Sequence, residues 1–390
     1  MASNGQEFPQ KVVIATSVMV GVFLAAVVLF FCKGICERRT KMDKSDLPSF
    51  ETESSGYGAL KLCKRTIAKD LIRQNLIGEG KYGKVYKCSH FTTEYAVKVF
   101  TSQHGLIGWS QEKKIYAEVN LHHENLLGFL AADVESCSSV IQYLIVTDYH
   151  PNGSLYDYLK AKKSLDIVAV SRILRTIISG LTYLHSEING QPYKEPLAHR
   201  DIKTKNILVK NDGSCCIADL GMAITSKDIA NWRKIKSLMQ DGDESVSQFI
   251  QVGTKRYLAP EILNLSIHSD SLQAFQKADI YSFGLLLWEV LVNSSLCRVE
   301  HAPGLYPDKE GTLYHLPYDE LVMNNPSFQD MKEVVADKQM RPSTTYGRDA
   351  PRMVHHLQTI MEECWCTEPI VRLSALRIQK NINIIDNQPC

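Results

Sequence analysis

From Val12 to Cys32 the chain runs 21 residues without a charge. At helical rise that is roughly 32 Å, the thickness of a bilayer core. No polar stripe interrupts the run, so the pattern predicts a transmembrane helix rather than a buried amphipathic one. It is too long for a signal-peptide core, and no small-x-small cleavage site follows. Lys33, Arg38, Arg39, Lys41 and Lys44 come after it and only Lys11 before it. The positive-inside rule therefore puts residues 1–11 outside and the rest of the chain in the cytosol. Residues 33–70 are polar and predict a juxtamembrane segment.

Past residue 70 the pattern changes. Val85-Tyr86-Lys87-Cys88 and Tyr95-Ala96-Val97-Lys98-Val99-Phe100 are β-branched and aromatic runs that predict two strands joined by a turn. Further strands are expected near 126–132 and 142–148, with one helix near 110–120. After residue 150 the period lengthens. Ile167, Val170, Ile173, Leu174, Ile177, Ile178, Leu181 and Leu184 recur at i+3 and i+4, which predicts a core helix. Lys277-Ala278-Asp279-Ile280-Tyr281-Ser282-Phe283-Gly284 opens a second, more apolar one. A small strand-rich lobe is thus expected over 71–148 and a larger helical lobe after it.

The candidate chemistry sits on this frame in a fixed order. Gly78-Glu79-Gly80-Lys81-Tyr82-Gly83-Lys84-Val85 is a G-x-G-x-x-G-x-V. Such glycines also open Rossmann folds, where a helix follows at once and an acidic residue lies about 20 positions on. Here strands flank them, which places them in a hairpin. His199-Arg200-Asp201-Ile202-Lys203-Thr204-Lys205-Asn206 comes later, then Asp219-Leu220-Gly221 and Ala259-Pro260-Glu261. A lone His-Arg-Asp is common by chance. The ordered set resembles the protein kinases.

That resemblance implies an α+β, bilobal protein-kinase fold over 71–385, with a β-rich N-lobe and a helical C-lobe, preceded by one transmembrane helix. It implies ATP and Mg2+ as cofactors, with Mn2+ as a substitute. Phosphoryl transfer depends on positioning and charge neutralisation more than on covalent chemistry. Gly78, Gly80 and Gly83 would let backbone approach the phosphates closely. Val85 and Ala96 would border the nucleotide, with Thr147 at the back of the pocket. Asp148-Tyr149-His150 would be the hinge that binds adenine through its backbone. Lys98 would hold the phosphates and needs a carboxylate from the next helix. Glu112 is the expected partner and Glu118 its rival; read in isolation, Lys98 and Glu112 are ordinary surface charges. Asp201 would accept the substrate hydroxyl proton, and Lys203 would place a cation near the transferring phosphate. Asn206 and Asp219 would hold the metal. Asp279 would hold the catalytic-loop backbone, and Arg372 would pair with Glu261 in a buried bridge that marks geometry more than stability. A lysine at 203 resembles the serine/threonine class; tyrosine kinases carry Ala-Ala-Arg or Arg-Ala-Ala there.

Composition narrows the picture a little. A net charge of +1 gives no general argument for a nucleic-acid partner. The eleven cysteines are scattered, and Cys215-Cys216 and Cys364-Trp365-Cys366 lack zinc spacing. They are expected to be reduced thiols, many of them buried. Cys32 and Cys36, at the inner boundary of the span, are candidate palmitoylation sites, with unmodified thiols the other reading.

Several stretches go beyond a generic kinase. His123-Glu124-Asn125-Leu126-Leu127-Gly128-Phe129-Leu130-Ala131-Ala132-Asp133, Asp148 through Leu159, Cys215 through Gly221 and Val252-Gly253-Thr254-Lys255-Arg256-Tyr257 are similar to the type I receptors of the TGF-β/BMP/activin family. So are Glu362-Glu363-Cys364-Trp365 and Arg372 through Ile378. Gly153 through Leu159 and Asn325-Pro326-Ser327-Phe328 lean toward the activin-receptor-like, BMP-signalling branch. The resemblance implies a type II receptor kinase that phosphorylates a Gly-Ser segment before the kinase. Phosphate would convert that segment from an inhibitory wedge into a ligand for the substrate. It also implies a Smad-type substrate phosphorylated on C-terminal serines and selected by the Val134 to Ile141 loop.

Three departures qualify this. The family's Gly-Ser box is reduced to Thr52-Glu53-Ser54-Ser55-Gly56-Tyr57-Gly58, and Ala59-Leu60 replaces the Leu-Pro that docks an inhibitory prolyl isomerase. No Cys-rich ectodomain precedes the span, so growth-factor binding in the family's usual way is not expected. The segment from Asp219 to Glu261 is longer than the family pattern, and a flexible solvated insertion is expected there. The expectation is a single-pass plasma-membrane Ser/Thr kinase with its catalytic domain in the cytoplasm. The alternative is a kinase-fold decoy or adaptor that occupies type II receptors. A third reading is a soluble kinase with a buried N-terminal helix.

Overall fold

The computed structural model describes residues 70–386, except 81–82, 120, 138–139, 163–164, 240–242, 295, 297–313 and 344–349. The expected span at 12–32 and the Gly-Ser segment lie outside the described residues.

The N-lobe is a five-stranded antiparallel sheet of order β1-β2-β3-β5-β4. Its strands are β1 (Ile72–Gly80), β2 (Gly83–His90), β3 (Thr93–Phe100), β4 (Phe129–Cys137) and β5 (Val140–Asp148). The register sets Lys98 opposite Val85 on one side and Ile145 on the other, and Ala96 opposite Thr147. The glycine hairpin is β1–β2, and a Cβ on Gly83 would meet the Val99 carbonyl oxygen at 2.2 Å. That glycine is therefore required by the sheet itself, whereas a Cβ on Gly80 would meet nothing within 4 Å.

Helix α1 (Gln103–Glu118) begins earlier than the apolar pattern suggests, because the Ser102 hydroxyl accepts the Gly105 amide at 2.9 Å and caps it. Trp109 pins it to the sheet, donating from Nε1 to the Leu144 carbonyl at 2.9 Å. Strand β4 starts three residues later than expected. The stretch before it is engaged elsewhere: Leu127 donates to the Ile217 carbonyl, and Ile217 donates to that of Asn125, each at 2.9 Å. Of the expected loop from Val134 to Ile141, residues 134–137 end β4 and residues 140–141 begin β5, paired in register from Val134↔Tyr143 to Cys137↔Val140.

The C-lobe is built around α3 (Ile167–His185) and the later helix Leu272–Val292, both lined by fully buried apolar residues. Its elements run α2 (Leu155–Ala161), α3, β6 (Leu197–Ala198), β7 (Ile207–Val209), β8 (Cys215–Ile217) and β9 (Ile224–Thr225). Then come α4 (Ser226–Lys236), α5 (Glu244–Ile250), α6 (Pro260–Leu263), α7 (Leu272–Val292), α8 (Phe328–Met331), α9 (Arg352–Cys364) and α10 (Ala375–Asp386). Among the described residues, α3 alone is long and apolar enough to cross a membrane, and its inward stripe is part of this core.

In the segment expected to be a flexible solvated insertion, the described residues form two helices, α4 and α5, whose outer faces are exposed. The reason is local and then tertiary. Thr225 and Asp228 form a capping box at the start of α4, and Asp243 caps α5. Ile229, Trp232 and Ile250 are then buried against the C-lobe. Cys215, Cys216 and Cys364 are buried free thiols; burial pushes Cys216 up to about 12, out of the reactive range.

Candidate active site

Strand β3 carries Lys98 and helix α1 carries Glu112 into the cleft below the sheet. Lys98 Nζ lies 2.8 Å from Glu112 Oε2 and 2.7 Å from Asp219 Oδ1. The Lys98 side chain is 19% exposed and that of Glu112 3%. Burial by itself would depress the ammonium, but the Glu112 and Asp219 carboxylates hold it above the ordinary lysine value. Asp219 is likewise held below the usual carboxylate value by Lys98, against the opposing effect of burial. The rival Glu118 is exposed on the same helix.

Two partner sets fix the catalytic loop. Asp279, buried on α7, accepts the backbone amides of His199 and Arg200, each at 2.7 Å. His199 Nδ1 accepts the Asp201 amide at 3.2 Å, which leaves Nε2 to donate to the Ala218 carbonyl at 3.0 Å. The Ala218 amide in turn donates to the Asn206 carbonyl at 2.8 Å. These bonds carry Asp219 to the same place as Asn206. Asp219 itself sits at φ +63°, a left-handed conformation uncommon for a non-glycine residue.

Both Asp201 oxygens are held by hydrogen bonds. Oδ1 accepts the Thr254 amide at 2.8 Å and its hydroxyl at 2.7 Å. Oδ2 accepts Lys203 Nζ at 2.7 Å and Asn206 Nδ2 at 2.9 Å. Lys203 also donates to Thr254 Oγ1 at 2.6 Å. Thr254 was not among the expected site residues, yet it joins both catalytic-loop side chains. Its signal in the sequence is the Gly253-Thr254 pair before Ala259-Pro260-Glu261. Gly253 sits at φ +106°, and a Cβ there would meet the Arg200 carbonyl oxygen at 2.4 Å, so only glycine delivers Thr254 to Asp201.

The donor set suits a hard cation. Asn206 uses its amide nitrogen on Asp201, so the atom it can offer a metal is its carbonyl oxygen. Asp219 adds a carboxylate oxygen. One carboxylate and one amide oxygen fit a Mg2+ that keeps water and phosphate ligands. Among the described residues no cluster of three or more His, Cys, Asp or Glu is gathered to hold a metal.

At the hinge, the Asp148 amide is committed to the Gly128 carbonyl at 3.0 Å, and His150 is partly buried, which lowers its pKa. Thr147 is buried beside Ala96, its hydroxyl 3.4 Å from the Ala96 carbonyl. A cleft of about 450 Å³ lined by Glu124, Arg172, Arg175, Lys210 and Asp212 includes none of these residues.

Below the loop, Arg372 makes a buried bidentate bridge to Glu261 at 2.6 and 2.7 Å. Glu289 on α7 is wholly buried and accepts hydroxyls from Thr204 at 2.9 Å, Tyr257 at 2.6 Å and Tyr314 at 2.6 Å. Sequence reading did not single it out, since one Glu in an apolar helix has no local signal.

The protein kinase domain family matches residues 71–382. Activin receptor type-1 of Mus musculus is 40% identical over 336 residues, 86% of this chain and 61% of that protein. Activin receptor type-1 of Gallus gallus is 40% identical with 86% and 62% covered. TGF-beta receptor type-1 of Homo sapiens is 37% identical over 337 residues, again 86% and 62%. The chain spans about three fifths of the length of the curated relatives it matches. With its bilobal fold and this order of motifs, the chain belongs to the protein kinase family, and within it is similar to the activin and TGF-beta type-1 receptors.

Proposed function

We propose that this protein is a membrane-anchored receptor-type serine/threonine kinase of the type I class, transferring the γ-phosphate of ATP to serines of a Smad-type substrate. The observation that carries the reading is Lys98 held at once by Glu112 and Asp219. A lysine so placed gives a fixed cation to the nucleotide phosphates without reorganisation during the reaction. Asp219 and Asn206 would hold the divalent cation, which would supply charge neutralisation at the phosphates. Asp201 accepts the proton of the substrate hydroxyl, and Lys203 remains beside it to offset the charge that develops. Thr254 keeps both aligned. Residues 12–32 anchor the chain, and a type II receptor kinase acts on the segment before residue 70.

The test uses the full chain in detergent micelles with Mg-ATP and a Smad carrying its C-terminal serines. Transfer to those serines that vanishes in Asp201→Asn supports the reading. A folded, ATP-binding protein that transfers nothing, even after incubation with a type II kinase, overturns it and leaves a decoy. Extraction by alkaline carbonate from cell membranes would remove the anchoring part alone.

A further inference from the structure

The site chemistry uses Asp219 at one end of the long segment to Glu261 and Gly253-Thr254 near the other, and leaves the stretch between them without a role. Its described residues form two helices, and these reach both halves of the catalytic machinery. At the start of α4, Asp228 Oδ1 lies 2.5 Å from Lys114 Nζ on α1, two residues past Glu112. Just before α4, the Ala223 carbonyl accepts Gln111 Nε2 at 2.8 Å. Both contacts grip the helix that carries Glu112.

The other end of the segment grips Arg200, the neighbour of Asp201. The Trp232 and Phe249 rings stack 3.9 Å apart at 9°, and Phe249 meets Phe275 edge to face. The Arg200 guanidinium lies over the Phe249 and Phe275 rings, 5.1 and 5.0 Å from their centres, and donates to the Phe249 carbonyl. Among the described residues no carboxylate makes an ion pair with it. Trp232 is fixed from behind, its Nε1 donating to Ser269 Oγ at 3.2 Å, while Arg233 donates to the Asp270 carbonyl. In other kinases an arginine and a phosphorylated activation loop order one another through a charged pair. Here ring faces and a backbone carbonyl occupy the arginine.

We infer that α4 and α5 are a positioning clamp. Trp232 and Phe249 seat Arg200 and so the catalytic loop, and Asp228 holds Lys114 and so keeps α1 with Glu112 in the cleft. The clamp rests on the kinase reading only for its effect on rate; its effect on order stands by itself.

The test compares the full chain with Trp232→Leu, Trp232→Phe and Lys114→Met. Amide hydrogen exchange is followed over 103–118 and 226–250, together with kcat and KM for ATP. Trp232→Leu should speed exchange across 226–250 and lower kcat about tenfold, with KM for ATP within about twofold. Trp232→Phe, which keeps a stacked ring, should restore both. Lys114→Met, partly exposed and tolerant of change, should speed exchange in α1 and α4 together. Unchanged exchange in Trp232→Leu and Lys114→Met overturns the clamp. So does a Trp232→Phe as damaged as Trp232→Leu, since bulk rather than stacking would then matter. If Trp232→Leu does not fold, Lys114→Met alone decides. If the wild type transfers no phosphate, the kinase reading fails while the exchange data still decide the clamp.

Discussion

The Tyr257 hydroxyl donates to Glu289 Oε2 at 2.6 Å, joining the stretch before Ala259-Pro260-Glu261 to the longest helix of the C-lobe. Thr204, from the catalytic loop, reaches the other oxygen of the same carboxyl at 2.9 Å. The stretch holding Tyr257 and the loop holding Thr204 thus share one buried acid, and its protonation is a stability variable.

Burial raises Glu289 from 4.5 to about 7, although Tyr257, Tyr314 and Thr204 oppose the shift. The native state therefore holds this proton more tightly than the unfolded chain does. The stabilisation is fully present below about pH 4.5 and is lost as pH rises through about 7, on the order of 3 kcal/mol across that window. Glu289→Gln should lack this component. Urea midpoints measured from pH 5 to 8 should fall more in the wild type than in the variant. Parallel curves would mean that Glu289 titrates alike in both states.

Lys98→Arg keeps a cation between Glu112 and Asp219 but replaces a point donor with a planar fork. Phosphotransfer should fall on the order of 10²-fold or more, with the thermal midpoint close to wild type. Retained transfer would sink the nucleotide role given to Lys98.

Thr254→Val removes the hydroxyl that Asp201 and Lys203 share. The expected loss is about 10–100-fold in kcat with little change in KM for ATP, because misplacement acts on the chemical step. Thr254→Ser should recover most of it. An equal loss in both variants would point to the methyl group and packing instead.

Arg372→Met leaves Glu261 charged and unpaired in the core, at a cost of about 3–5 kcal/mol in unfolding free energy. The double variant with Glu261→Leu should recover part of that, as read by urea unfolding. No recovery would show that the arginine's bonds to the Cys366, Thr367 and Lys277 carbonyls dominate.

By itself the sequence determined the family and the order of its motifs, because those signals are local. Asp201, Asn206 and Asp219 lie in short runs, and the strand and helix periods around Lys98 and along α3 report which faces are buried. The tertiary structure decided what depends on distant partners. It settled Glu112 over Glu118, since only one of the two faces Lys98. It moved the start of β4, since Leu127 bonds to β8 instead. It brought Thr254 to Asp201 and gathered three hydroxyls on Glu289. Within the expected flexible insertion it formed the helices that carry Trp232 and Phe249. Capping residues such as Thr225 and Asp228 allow those helices locally, but burial of Ile229, Trp232 and Ile250 against the C-lobe holds them. That burial is a property of packing, and no residue spacing along the chain encodes it.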